Sequence, residues 1–190
     1  MTTIRETPFA ALDFESAGER ADEAGVPIQI GIASMRSLEI TTGEHFRSYL
    51  RPDRPVTWAA RKVHGIVDDD LTGAPTLLSL WPEIRARLAG RWIVAHGSGT
   101  EKRFLRAFPA HGFGPWIDTL TLSRKMLPGL PSYALSDLCI HLGIEGEARG
   151  ILPGFRWHEA LSDALASLLL LRRLITLTGI TDHPAAVLAG

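Results

Sequence analysis

The chain has 190 residues, 45% of them hydrophobic and 22% charged, and its twenty basic and twenty-one acidic side chains leave a formal charge of −1. This composition excludes a disordered or fibrous chain and supports one sizeable core. So small a net charge supplies no long-range pull on a polyanion, so attraction to phosphate has to come from local patches or bound cations. The single cysteine, Cys139, rules out an intrachain disulfide and a cysteine-pair zinc site, and its apolar surroundings predict burial. The opening MTTIRETPFAALDFES lacks the apolar core of a signal peptide, and SLLLLRRLITLTGI is interrupted by Arg172 and Arg173, which excludes a plain membrane span. A cytoplasmic protein is the expectation.

In chain order, Phe9 to Phe14 reads as a buried strand ending in acids, and VPIQIGIASM, residues 26–35, as a second. GEHFRSYL, residues 43–50, alternates again, and the short connections predict that these three pair antiparallel. Residues 52–75 are turn-rich, with a short helix around Trp58 to Val63. Leu77, Leu80, Ile84 and Leu88 have helical spacing, with Pro82 marking a start or a kink. Trp92 to Ala95 is a fourth strand, followed by a helix from about Thr100. Trp116 to Asp118 is a fifth, followed by helices over residues 119–127 and 133–142. GIEGEARGILPG, residues 143–154, reads as loop, and residues 157–177 as a long central helix. The expected architecture is a single α/β domain with a mixed sheet over residues 1–180, followed by a short C-terminal tail, 181–190. Leu12, Phe104, Leu138 and Leu168 are assigned to the core.

Asp13 and Glu15 close the strand ALDFES. Positions i and i+2 of a strand face the same side, so the two carboxylates share a face, with Phe14 turned away. Their oxygens are hard ligands suited to Mg²⁺ or Mn²⁺, although a solvated strand end would look the same. In HEALSDALASLLLL, Asp163 lies among leucines and needs a base or a metal as partner. His158, five residues earlier, is about 140° away on a regular helix. It converges with Asp163 only from the helix start or the loop before it. A histidine there is a candidate general base. In VAHGSGTEKRFL, the stretch GSGTEK is not a Walker A loop, because its lysine neither follows glycine nor precedes a hydroxyl residue. Read alone, Glu101 is a first-turn carboxylate behind an N-cap at Ser98 or Thr100.

Together, FAALDFES, VAHGSGTEKRFL and HEALSDALASLLLL resemble, in order and spacing, the three motifs of the DnaQ-like DEDDh 3′–5′ exonucleases. VHGIVDDDLTGAP is similar to that family's His-Gly-Ile segment, and WIDTLTLSRKMLPGLPSYALSDLCIHLGI to its Asp-Thr-Leu helix and the helix after it. The resemblance covers Phe9 to Leu171. It implies an RNase H-like fold, with a five-stranded mixed sheet whose first three strands are antiparallel. It also implies metal-assisted phosphodiester hydrolysis at the 3′ end of single-stranded DNA or RNA, releasing nucleoside 5′-monophosphates. Asp13, Glu15 and Asp163 would hold one divalent cation, Mg²⁺ or Mn²⁺, and Asp13 would bridge to a second roughly 4 Å away. His158 would take a proton from the attacking water. The match departs at the second motif, where Gly97 replaces an Asn and Glu101 an Asp. Glu101 keeps the charge at that position, on a longer arm, for the second ion.

The resemblance also places His64, Gly65 and Ile66 near the terminal nucleotide; as residue types, Phe14 or Trp58 could offer an aromatic surface to a base. Trp58 is equally at home in a core. Arg61 and Lys62 border the same segment, and Lys102, Arg103 and Arg106 read as the solvated face of a helix. Two alternatives stand beside the free-standing nuclease: a catalytically altered nucleic-acid-binding module, and a proofreading subunit docked on a polymerase. The choice between DNA and RNA, and the oligomeric state, are open at this level.

Overall fold

The computed structural model describes residues 2–19 and 24–189. The sheet is built from β1 (Phe9–Ser16), β2 (Pro27–Arg36), β3 (Glu39–Ile40), β4 (Phe46–Tyr49), β5 (Trp92–Ala95) and β6 (Trp116–Asp118). Its order is β3-β2-β1-β5-β6, with β4 also on β2. β1 runs antiparallel to β2 and parallel to β5, and β5 is parallel to β6. One edge of β2 is lined by two short pieces: β4 is the middle of the expected third strand, residues 43–50, and β3 is an additional strand before it. Glu39 and Ile40 pair with Arg36 and Met35, and Phe46 to Tyr49 pair with Ile32 to Gln29. A turn of 3₁₀ helix at Thr42–Glu44 separates the pieces, so the sheet has six strands where five were expected.

The helices are α1 (Trp58–His64), α2 (Trp81–Leu88), α3 (Gly99–Leu105), α4 (Thr119–Met126), α5 (Leu135–His141), α6 (Glu145–Ile151) and α7 (Ala160–Thr178). Pro82 sits in the first turn of α2, where its missing N–H costs nothing, so it starts the helix rather than kinking it. Residues 145–151 are helical and not loop, which corrects the sequence reading. Arg149 donates to Glu145 one turn earlier at 2.6 Å, Ala148 is buried, and Gly146 and Gly150 lie on the open side. The final helix begins at Ala160 and not at Trp157.

Alternation along β1 divides the molecule. Phe9 and Ala11 pack with α7 on one face, while Ala10, Leu12 and Phe14 pack with Ile84, Phe104 and Phe108 on the other. Leu12, Phe104, Leu138, Leu168 and Cys139 are all buried, as expected. The chain's last segment is also part of the core. Ala185 and Leu188 are buried in the α7 cluster, and the Ile4 N–H donates to the His183 carbonyl at 2.9 Å. Gly190 lies outside the described residues. No helix among the described residues is long and apolar enough to cross a membrane.

Candidate active site

The odd-numbered face of β1 that carries Phe9 and Ala11 carries Asp13 and Glu15 at its C-terminal end, under the start of α7. That approach depends on Gly31, the cross-strand partner of Asp13. A Cβ built on Gly31 would lie 2.1 Å from the Ala160 carbonyl carbon and the Leu161 nitrogen. The buried Gln29, opposite Glu15, accepts the Ala160 N–H at 2.9 Å and fixes the same helix end. Glu159 caps α7, accepting from the Ser162 N–H at 3.0 Å and hydroxyl at 2.9 Å, while Arg47 donates to its other oxygen. The helix therefore has one place to start, and Asp163 in its first turn is delivered above the strand acids.

His158 stands two residues before α7 with a left-handed φ of 58°, a conformation histidine adopts more readily than most residues. Its backbone N–H donates to Asp163 Oδ2 at 3.2 Å. This resolves the 140° problem, since His158 reaches the site from the loop and not from the helix. Ligand atoms of Glu15, His158 and Asp163 lie within 4.8 Å of one another. Asp13 sits beside this trio and feels the charges of Asp163, Glu101 and Glu15.

Glu101 enters from the opposite side, on the first turn of α3 after β5. It is only 4% exposed, and its Oε2, like Asp163 Oδ1, is buried without a hydrogen-bond partner. No side-chain cap bond forms at Ser98, so Glu101 is not held as part of a capping motif. Gly97 has φ 79°, a left-handed conformation that asparagine also tolerates, so the backbone angle alone does not demand glycine here.

Sequence reasoning missed Asp118, which holds this loop. Its carboxylate accepts from the N–H groups of Gly97 at 3.1 Å, Ser98 at 2.8 Å and Leu120 at 3.0 Å. Burial alone would raise its pKa, but the N–H groups of Ser98, Gly97 and Thr121 hold it below the usual carboxylate value. The signal was an Asp before a helix, the commonest N-cap pattern. Nothing in the sequence showed that the same carboxylate also ties down the turn before Glu101. His96 supports the turn too, with Nδ1 3.0 Å from the Thr119 hydroxyl and Nε2 2.9 Å from the Tyr133 carbonyl.

The structure separates the expected substrate residues. Phe14 is 6% exposed and packs edge-on against Phe104 with centroids 5.3 Å apart, so its ring belongs to the core. His64 and Ile66 are also buried, and Gly65 is the exposed left-handed cap of α1. His64 Nδ1 accepts the Ile66 N–H at 3.0 Å, so its Nε2–H donates to the Ser16 carbonyl at 3.1 Å, at the end of the strand that carries the acids. Trp58, by contrast, is 70% exposed and is not a core residue. Lys102 and Arg106 are solvated, whereas Arg103 is half-buried against Phe104 and 3.6 Å from Glu19.

Burial pushes all four acids upward. Asp13 is held well above the usual carboxylate range by burial, then by Asp163, Glu101 and Glu15. Burial and then Asp163 and Glu159 raise Glu15 to about 8; burial raises Glu101 and Asp163 each to about 7. Four carboxylates with two buried, unpartnered oxygens form a hard-oxygen set short of positive charge, and a divalent cation of the Mg²⁺ or Mn²⁺ kind fits it. The consequence for stability has a definite sign. The folded protein holds protons on these acids that the unfolded chain, with ordinary values near 4.5, has released, so without metal stability falls as pH rises from about 4.5 to about 8. Millimolar Mg²⁺ or Mn²⁺ is expected to raise the melting temperature by roughly 5–10 °C at pH 8 and much less at pH 5. Thermal melts at both pH values, with and without the ion, check this.

The family model described as exonuclease matches residues 10–171. The chain belongs to the exonuclease family. The resemblance to the DEDDh exonucleases and the RNase H-like fold expected from it therefore hold. A DNA polymerase III subunit epsilon from Rickettsia typhi is 28% identical over 188 residues, covering 94% of this chain and 76% of that protein. A PolC-type DNA polymerase III from Thermotoga maritima is 30% identical over 170 residues, covering 86% of this chain, and this chain spans only 11% of that polymerase. Among solved structures, exonuclease X in complex with 5′ overhanging duplex DNA superposes with a TM-score of 0.78 at 25% identity, covering 96% of this chain and 99% of that one.

Proposed function

We propose that this exonuclease-family enzyme works from the 3′ end of single-stranded DNA or RNA and releases nucleoside 5′-monophosphates with two divalent cations. The observation that carries the reading is the convergence of Glu15, His158 and Asp163 within 4.8 Å, beside the buried carboxylates of Asp13 and Glu101. Asp13, Glu15 and Asp163 would hold one ion, and Glu101 with Asp13 would serve the second, directly or through water. When bound, the ions would supply charge stabilisation to the attacking and leaving oxygens of an in-line displacement. His158, exposed and held by the Asp163 carboxylate through its own backbone, takes the proton from the attacking water. Asp118 keeps the Glu101 turn in place, and Gln29 and Glu159 keep α7 in register over β1.

His158→Ala is expected to lower kcat by about 10²–10⁴-fold on a labelled single strand while leaving the ion-induced rise in melting temperature in place. A full rate in this variant would remove the general-base role. The same panel, with single-stranded DNA, duplex DNA and RNA in Mg²⁺ and Mn²⁺, sorts the substrates. A second reading, a proofreading unit that acts beside a polymerase, is supported by the polymerase III relatives. Co-purification with a replicative polymerase at physiological salt separates it from a free-standing nuclease.

A further inference from the structure

α1 lies across the end of β1, just past the acids, and is tied there at both ends. At its start the Thr57 N–H donates to the Ala17 carbonyl at 2.8 Å, two residues beyond Glu15. At its last residue, His64 Nε2 meets the Ser16 carbonyl at 3.1 Å. The inward side of the helix carries Ala60 and His64, packed on the segment after β1. At about 100° per residue, Trp58 and Lys62 fall together on the opposite, outward side. Trp58 is 70% exposed, the most exposed large hydrophobic side chain among the described residues, and the Lys62 Nζ lies 3.7 Å from its ring centroid. A large aromatic left open to water needs a reason, and here it stands immediately after the residue that anchors the rim of the acidic site.

We infer that the outward face of α1, Trp58 with Lys62, is a stacking platform for an unpaired nucleobase of the strand whose 3′ end enters the acidic site. This rests on the exonuclease reading and adds the surface that holds the strand outside the chemical centre. Three observations favour a nucleic-acid strand as occupant. The helix that carries the face is tied through Thr57 and His64 to the end of the strand that bears Asp13 and Glu15. An indole offers a π-face to any base and so gives grip without sequence preference. Lys62 has no acidic partner among the described residues, and its ammonium is close enough to serve the phosphate of the stacked nucleotide. Arg156, two residues before His158, is exposed, and its charge is felt by Glu15 in the acidic site and by His64 at the end of α1. The surroundings of the acidic floor therefore include Arg156 as well as Lys62.

The test is binding of fluorescently labelled decathymidylate and decauridylate to the full chain, by anisotropy with Ca²⁺ in place of the catalytic ion. Trp58→Ala is expected to weaken both by about tenfold, and Trp58→Phe, which keeps a ring, by no more than about threefold. Thymidine 5′-monophosphate, which reaches only the terminal position, is expected to bind wild type and Trp58→Ala with the same affinity by calorimetry. Unchanged melting temperatures would show that an exposed side chain was removed without loss of fold. Equal decamer affinity for wild type and Trp58→Ala overturns the platform and leaves the exonuclease reading standing; an exposed tryptophan that docks a protein would give this result. An equal loss for the monophosphate also overturns it, placing Trp58 in the shape of the site itself. Failure of wild type to bind any strand overturns both the platform and the exonuclease reading.

Discussion

Asp13→Asn is expected to lower kcat by at least about a thousandfold, since the proposed two-ion site would draw several kcal/mol of charge stabilisation through this carboxylate. The same substitution is expected to make the metal-free protein more stable at pH 8, by roughly 2–6 °C in melting temperature. The two effects have one cause. Asp13 is a carboxylate kept from water and faced by Asp163, Glu101 and Glu15, all of which oppose its ionisation. A neutral amide of the same shape relieves that repulsion and removes the ligand with it. Melting curves in chelator and single-turnover rates in Mg²⁺ check the pair. A variant that keeps its rate would show that Asp13 holds no ion. One that melts lower without metal would show that the carboxylate is not under electrostatic load.

Gly31→Val is the second large effect, and it acts through backbone. A Cβ at this position meets main-chain atoms of Ala160 and Leu161 at 2.1 Å, and main chain at a helix start cannot turn aside as a side chain can. The helix has to lift or slide, which strips the Ala160 N–H from Gln29 and moves Asp163 away from Asp13 and Glu15. The expected cost is at least about 3 kcal/mol, or roughly 6–12 °C in melting temperature for a chain of this length. Activity is expected to fall further than the fraction of folded protein does. A Gly31→Val protein with wild-type melting and wild-type rate would mean that α7 is not seated by this contact.

Much of this arrangement was legible in the sequence, and the exceptions have physical reasons. That Asp13 and Glu15 share a face followed from the i, i+2 rule alone, because the apolar run before them buries both faces of the strand. The place of His158 was readable only as a condition, since a residue outside a helix is not bound by its periodicity. The left-handed turn that satisfies the condition depends on contacts from Asp163. Helix α6 was hidden by its glycines, whose low propensity was outweighed by the Glu145–Arg149 pair and the burial of Ala148. β3 was not foreseen because its short pairing with β2 is tertiary and leaves little local trace. Phe14 and Trp58 were ambiguous for the same reason: the sequence offers two aromatics near the site, and only packing decides which is core and which is open. Asp118 was read only as the end of the fifth strand, while its grip on the Glu101 turn joins segments some twenty residues apart.

The most direct measurement is a time course on a 5′-labelled single strand, in chelator, in Mg²⁺ and in Mn²⁺, with products resolved at single-nucleotide length. The predicted result is no cleavage in chelator and, with either ion, a ladder that shortens one nucleotide at a time from the 3′ end. Binding of the strand without cleavage in both ions, or early release of the 5′-labelled mononucleotide, would contradict it.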